Sequence, residues 1–199
     1  MKGKTLVIGI QGGRGSFNEE AIRTYIKDKG ITDFRIEYLY TTRRVLEALH
    51  DKKIDRGQFA IENTIGGTVW ETINALSEFN CKILDNYKIP VRHCLLARPG
   101  MKEREVKTIM SHPQALAQTK KTVARRYPGI PTVSGEGILV DQATAAEALA
   151  KGKLPKGTAV IASRTAGEIN GLTILRENLQ DKKKNLTTFL YVSRFENLK

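Results

Sequence analysis

Cysteine is nearly missing from this chain: Cys81 and Cys94 stand alone, no C-x-x-C pair occurs, and His50, His93 and His112 keep no ligand spacing. A disulfide framework and a zinc site are thereby excluded. Aromatic residues make up only 7% of the chain and do not interleave with the basic ones, so the stacking platforms of single-strand nucleic-acid binders are not expected. No apolar run is long enough to span a membrane. The N-terminal "MKGKTLVIGI" runs straight into a glycine turn without a small-residue cleavage site, which reads as a first β-strand in a cytoplasmic protein. Internal repeats, low-complexity tracts and flexible linkers are lacking too, as are a G-x-S-x-G elbow and a Cys/His nucleophile pair. Acidic residues are also short: 21 Asp and Glu face 33 Lys and Arg, a formal charge of +12. Because the cations are scattered rather than gathered into one arm, the expected partner is a small anion, not nucleic acid.

What is present is an alternation. The short apolar runs "TLVIGI" (5–10), "QFAIE" (58–62), "VKTIM" (106–110) and "TAVIAS" (158–163) are each followed by a small or polar cluster and then by helical periodicity. That order belongs to an α/β fold with mostly parallel sheets, in which strands covered on both faces read as continuous apolar runs. "FRIEYLY", "IPVRHCLLA" and "TTFLYV" are further strand candidates. With 199 residues, 40% of them hydrophobic, the chain can bury one substantial core or two smaller lobes.

The strand-to-helix junctions are where ligands of open α/β sheets bind. "QGGRGSFNEEA" pairs Ser16 with Glu19 as a capping box, and "ENTIGGTVWETI" repeats the pattern with Thr68 and Glu71. "SHPQALAQT" puts Pro113 at a first helical position, with Ser111 or His112 as cap, and "SRTAGEI" is the fourth junction. His112 is either a general base or a cap. The glycines at 9, 12, 13 and 15 do not keep the G-x-G-x-x-G spacing, so a tight turn into a helix is expected rather than a dinucleotide site. At the other end, "DKKKNLTTFLYV" sets two hydroxyls, Thr187 and Thr188, at the mouth of a strand. They are either ordinary strand threonines or a proton donor.

Taken in order, "GxxGSFxxxA", "DxGxxxIENTxxGxV", "SHPQALAQ", "AxIASxxA" and "GLxxLxxNLQDxxxNxTxF" closely resemble the prephenate dehydratase family, from about Gly12 to Val192. The resemblance implies a two-lobed fold like that of type II periplasmic binding proteins, with the active site in the interlobe cleft. Lobe 1 would cover approximately 1–85 plus the C-terminal part of 173–199, and lobe 2 approximately 86–172. It implies conversion of prephenate to phenylpyruvate, carbon dioxide and water for phenylalanine synthesis, with no metal or cofactor, no membrane and no nucleic acid, and a homodimer as an expected assembly. Thr187 matches the family's catalytic threonine and would donate to the departing hydroxyl. Asn63 and Gln114 would orient the substrate, assisted by Gln118, while Ser16, Thr64 and Ser111 would hold carboxylate oxygens. For these hydroxyls helix capping is the competing role.

The chain departs from the family pattern in three ways. Thr188 stands where the family has arginine, which removes a planar cation worth ~2–5 kcal/mol at a carboxylate. Gln142 stands where threonine is usual. Arg14 or Arg164, at two of the junctions, is expected to restore the missing charge. Many relatives continue into a phenylalanine-binding ACT domain, whereas this chain stops at Lys199, so no feedback inhibition through it is expected. The competing activities are a prephenate decarboxylase, which would keep the hydroxyl, and a non-catalytic binding module of the same shape.

Overall fold

The computed structural model of the protein describes residues 5–195. Strand β1 (Leu6–Ile10) leads into α1 (Phe17–Asp28), β2 (Phe34–Tyr38), α2 (Thr42–His50), β3 (Arg56–Asn63), the two-residue β4 (Gly67–Thr68), α3 (Trp70–Glu78) and β5 (Cys81–Pro90). There follow β6 (Cys94–Ala97), β7 (Thr108–Ser111), α4 (Pro113–Arg126), β8 (Thr132–Ser134) and α5 (Gln142–Ala150). The last elements are β9 (Thr158–Ala162), α6 (Arg164–Ile169), β10 (Thr173–Arg176) and β11 (Leu186–Arg194).

The four apolar runs of the sequence become β1, β3, β7 and β9, and each is a buried centre of its sheet. Ile8, Phe59, Ile109 and Ile161 have no exposed surface. Fully burying a side chain of that size contributes ~1.5–3 kcal/mol, which is why these strands need no alternation to be specified. "IPVRHCLLA" does not stay one strand: β5 ends at Pro90 and β6 begins at Cys94.

The chain divides into two compact units at that break. The first holds Phe17–Pro90 together with the described residues up to Gly13 and from Leu186 onward. Its sheet has the order β2-β1-β3-β11-β5, with β4 added to β3. Pairing is parallel through β2, β1 and β3, whereas β11 runs antiparallel to both β3 and β5. Helix α2 lies very close to this sheet, since a Cβ on Gly57 would stand 2.7 Å from Val45 and 2.9 Å from Leu49. Only glycine lets the two backbones approach so far.

The second unit holds Val91–Asn185 with Arg14–Ser16. Its strands are ordered β10-β6-β9-β7-β8, parallel through β9, β7 and β8 and antiparallel where β6 and β10 are added. Ala145, Ala146 and Leu149 of α5 pack on β9 without exposed surface. The chain goes back to the first unit at Leu186. The reason is pairing: β10 bonds to β6, and Leu179 N–H and Asp181 N–H bond to the carbonyls of His93 and Gln118. Residues 1–4 and 196–199 of the expected first lobe lie outside the described residues. No helix among the described residues is long and apolar enough to cross a membrane.

Candidate active site

Within the first unit, the junction between β3 and β11 brings Asn63 and Thr187 together. They are register partners, and Asn63 Nδ2 donates to Thr187 Oγ1 at 2.9 Å. The orientation of the Asn63 amide is set on its other side, where Oδ1 accepts from the backbone N–H groups of Ile65 (2.9 Å) and Gly66 (2.7 Å). Two main-chain donors cannot be satisfied by an NH2 group, so the amide nitrogen must face Thr187. Among the described residues the Thr187 hydroxyl has no acceptor for its own proton. Accepting from Asn63 also polarises the O–H bond, since hydrogen bonds in series strengthen one another.

Thr64 fixes the strand that carries this hydroxyl. Its backbone N–H donates to Leu186 O at 2.9 Å, while its Oγ1 accepts from Leu186 N–H at 3.0 Å. Because β11 is hydrogen-bonded on both sides, to β3 and β5, the Thr187 backbone is held from every lateral direction. Thr188 points to the opposite face, as successive strand residues must. Its register partners there are Glu62 and Lys88, so a cation stands beside the threonine that replaces arginine.

The register slips just after Thr188, where Ile61 is the extra residue of β3. Such a bulge leaves a ladder donor over. Here Ala60 N–H is taken by Gln11 Oε1 at 3.1 Å, and Gln11 Nε2 in turn donates to Glu71 at 2.7 Å. Glu71 also accepts from Thr42 N–H (2.9 Å) and Thr42 Oγ1 (2.8 Å). It therefore serves the N-terminus of α2, where a carboxylate also opposes the positive helix end. The expected capping box of Thr68 and Glu71 is not formed: the cap of α3 is Val69, with no side-chain bond, because Glu71 is spent on the neighbouring helix.

In the second unit, α4 starts as the sequence suggests. His112 is its cap and accepts from Gln114 N–H at Nδ1 (3.1 Å), with Pro113 in the first turn. Ser111 is fully buried and donates to Ile161 O at 2.7 Å. Gln142 Nε2 donates to the same carbonyl (2.9 Å) and to Ser111 Oγ (3.1 Å), so the residue that replaces threonine ties α5 to β7 and β9. The Gln114 side chain is exposed and bonds to none of the described residues. One turn further on, Gln118 is half-buried, and its Oε1 meets His93 Nε2 at 2.9 Å and Asn185 Nδ2 at 2.8 Å. Burial holds the His93 imidazole below its ordinary pKa against the opposing pull of the Gln118 bond, so it is neutral near pH 7.

The glycine turn contributes Arg14–Ser16 to this unit. Gly15 has φ +87°, and a Cβ there would lie 2.9 Å from Ala166 Cα. Ser163 explains the close approach, since its Oγ donates to Gly15 O at 2.5 Å and accepts from Ala166 N–H at 2.9 Å as the cap of α6. Ser16 is half-buried and Arg14 exposed. Arg164 is engaged by the carboxylates of Glu168, at 3.3 Å, and Glu177. Arg14 makes no ion pair among the described residues, which leaves it the better placed of the two arginines to meet an anion.

His93, Asn185 and Glu71 were not picked out as site residues from sequence. Asn185 at least lies inside a motif, "NLQDxxxN", whose spacing carried the signal. His93 had none.

Comparison with known proteins adds four findings. The profile of the family described as prephenate dehydratase matches residues 8–197. Arogenate dehydratase 1 of Petunia hybrida is 34% identical over 195 residues, which is 98% of this chain but 43% of that protein. The crystal structure of prephenate dehydratase in complex with L-Phe from Arthrobacter aurescens superposes with a TM-score of 0.85 at 26% identity, covering 97% of this chain and 62% of that one. The architecture extends to binding proteins: a periplasmic substrate-binding protein of an ABC transporter from Coxiella burnetii shares the fold at TM-score 0.51 and 12% identity, over 95% of this chain and 84% of that one. The chain thus spans less than half the length of the curated relative.

Proposed function

Since the chain belongs to the prephenate dehydratase family, we propose that it removes water and carbon dioxide from prephenate to give phenylpyruvate, with Thr187 as the donor to the departing hydroxyl. The observation that carries this reading is the bond from Asn63 Nδ2 to Thr187 Oγ1, which occupies an oxygen lone pair and leaves the hydroxyl proton to be given away.

The chemistry asks little of the protein. The bond between the ring and its carboxylate breaks, that electron pair enters the ring, and the C–O bond at the opposite carbon breaks. The leaving hydroxide takes a proton and departs as water, carbon dioxide departs with the carboxyl carbon, and solvent restores the proton. Aromatisation supplies the driving force, so catalysis comes down to orientation and to a hydrogen bond that strengthens as charge builds on the leaving oxygen. A threonine hydroxyl is too weak an acid to ionise alone. Polarised by Asn63, it serves as a donor whose bond shortens in the transition state.

The other site residues are assigned by the chemistry of their exposed atoms. The Gln114 and Gln118 amides can donate to substrate oxygens. Arg14 supplies a cation for a carboxylate in place of the arginine that Thr188 displaces. Ser16 and Thr64 hydroxyls hold carboxylate oxygens, while the Ser111 hydroxyl, fully buried, is engaged by the Ile161 carbonyl and the Gln142 amide.

Arogenate is the second reading, favoured by the petunia relative. It carries an ammonium where prephenate carries a ketone, so it brings one positive charge into a protein of formal charge +12. That cost favours the dianion prephenate. Incubating the protein with each substrate and recording the ultraviolet spectrum decides the question: an aromatic keto acid product from prephenate supports the proposal, and a dihydro product or no product from either substrate removes it.

A further inference from the structure

The amide of Gln118 is held by two buried polar side chains of the second unit, His93 at 3% and Asn185 at 1% exposure. Both converge on the same atom, Oε1, at 2.9 and 2.8 Å. An amide oxygen has two lone pairs, so these two donors saturate it. The Gln118 NH2 group, by contrast, bonds to nothing among the described residues. Gln118 follows Gln114 by four positions and therefore shares its face of α4. The backbone of Gln118 is fixed as well, because its carbonyl accepts Asp181 N–H at 2.8 Å while the Asp181 carboxylate accepts Lys121 and Thr122 N–H at 2.9 and 2.7 Å.

We infer that His93 and Asn185 are positioning residues that hold the Gln118 amide in one of its two orientations, oxygen inward and NH2 outward, so that the site offers a pure donor to an acceptor oxygen of a carboxylate substrate. The alternative orientation would set Gln118 Nε2 against the Asn185 NH2 group and leave two N–H donors facing each other. Histidine suits the inner position because, kept neutral by burial, it is a donor at Nε2 only in one tautomer. The inference rests on the dehydratase reading for the identity of the substrate, but the amide orientation does not depend on it.

Nitrogen NMR of the ligand-free chain reads the His93 tautomer directly. Protonation at Nε2 is expected, and protonation at Nδ1 overturns the inference whether or not the protein turns over either substrate. Asn185→Asp supplies the second measurement. A carboxylate at that position repels Gln118 Oε1, draws the NH2 inward and presents an oxygen to the substrate. KM for prephenate, or Kd where no turnover is seen, is expected to rise roughly tenfold or more, as loss of one hydrogen bond to a charged group requires. The kcat should change far less. The same substitution in a Gln118→Ala background is expected to raise KM no further, because the effect passes through the amide. An equal rise in both backgrounds would show that Asn185 only supports the fold and would overturn the inference.

Discussion

Asn63 and Thr187, 124 residues apart in the chain, face each other across β3 and β11 with the asparagine amide donating to the threonine oxygen at 2.9 Å. The direction of that bond is its content. An acceptor in place of the amide would draw the hydroxyl proton inward, away from any leaving group.

Asn63→Asp tests the direction. The carboxylate keeps the oxygen that accepts from Ile65 and Gly66 and places a second oxygen against Thr187, which then donates to it. Steady-state kcat for prephenate is expected to fall by about 10²–10³, the size seen when one donor to a developing oxyanion is lost. Circular dichroism should report an unchanged fold.

Charge supplies a second expectation. A protein of formal charge +12 draws in a dianion through a field that salt screens within about 8 Å at physiological ionic strength. KM for prephenate should rise as salt is raised from low to about 0.5 M while kcat holds, a range in which surface electrostatics fades. Salt-independent kinetics would mean that the scattered cations play no part in capture.

Much of this architecture could be read from the residues, and the exceptions have physical causes. The strands β1, β3, β7 and β9 announced themselves because both faces are covered. Strand β5, with Lys82, Asp85 and Lys88, did not, because it is an edge strand and edges carry charge to discourage further pairing. Local spacing narrows the cap of α4 to Ser111 or His112, whereas it places Glu71 in a capping box that does not form, since its partners Thr42 and Gln11 are near it only in space. The motif order singled out Thr187 and Asn63 but could not give their register. His93 was silent for the same reason: its partner Gln118 lies 25 residues away on another element.

Asp181 gives a prediction about acid. Burial alone would raise its pKa, but the N–H groups of Lys121 and Thr122 outweigh burial and hold the carboxylate below its ordinary range. A carboxylate with a depressed folded pKa contributes stability in full above its unfolded pKa, and that contribution is lost as pH falls through the folded value. The loss thus begins below about pH 4. Asp181→Ala should cost about 1–3 kcal/mol at neutral pH, since two backbone donors lose their acceptor, and should flatten the acid limb of a urea-midpoint profile.

Gln58 should be a position where a polar group can be removed with profit. It has no exposed surface, and neither Oε1 nor Nε2 has a hydrogen-bond partner among the described residues. Tyr87, whose phenol burial pushes far above its ordinary pKa, has a buried hydroxyl that is also without one. The Gln58 amide lies near enough to draw that pKa down in part, yet not in bonding geometry. Gln58→Met, similar in volume, should raise stability by about 1–2 kcal/mol in urea unfolding, and a loss of that size would show that the amide is satisfied in solution.

The account stands most directly on the hydroxyl of Thr187, and the decisive measurement is kcat for prephenate in Thr187→Val beside Thr187→Ser. Valine keeps the shape and the strand preference and removes the proton, while serine keeps the proton. Valine is expected to lower kcat by about 10²–10³ with serine retaining most of the activity. A valine variant that forms phenylpyruvate at the parent rate would contradict the account.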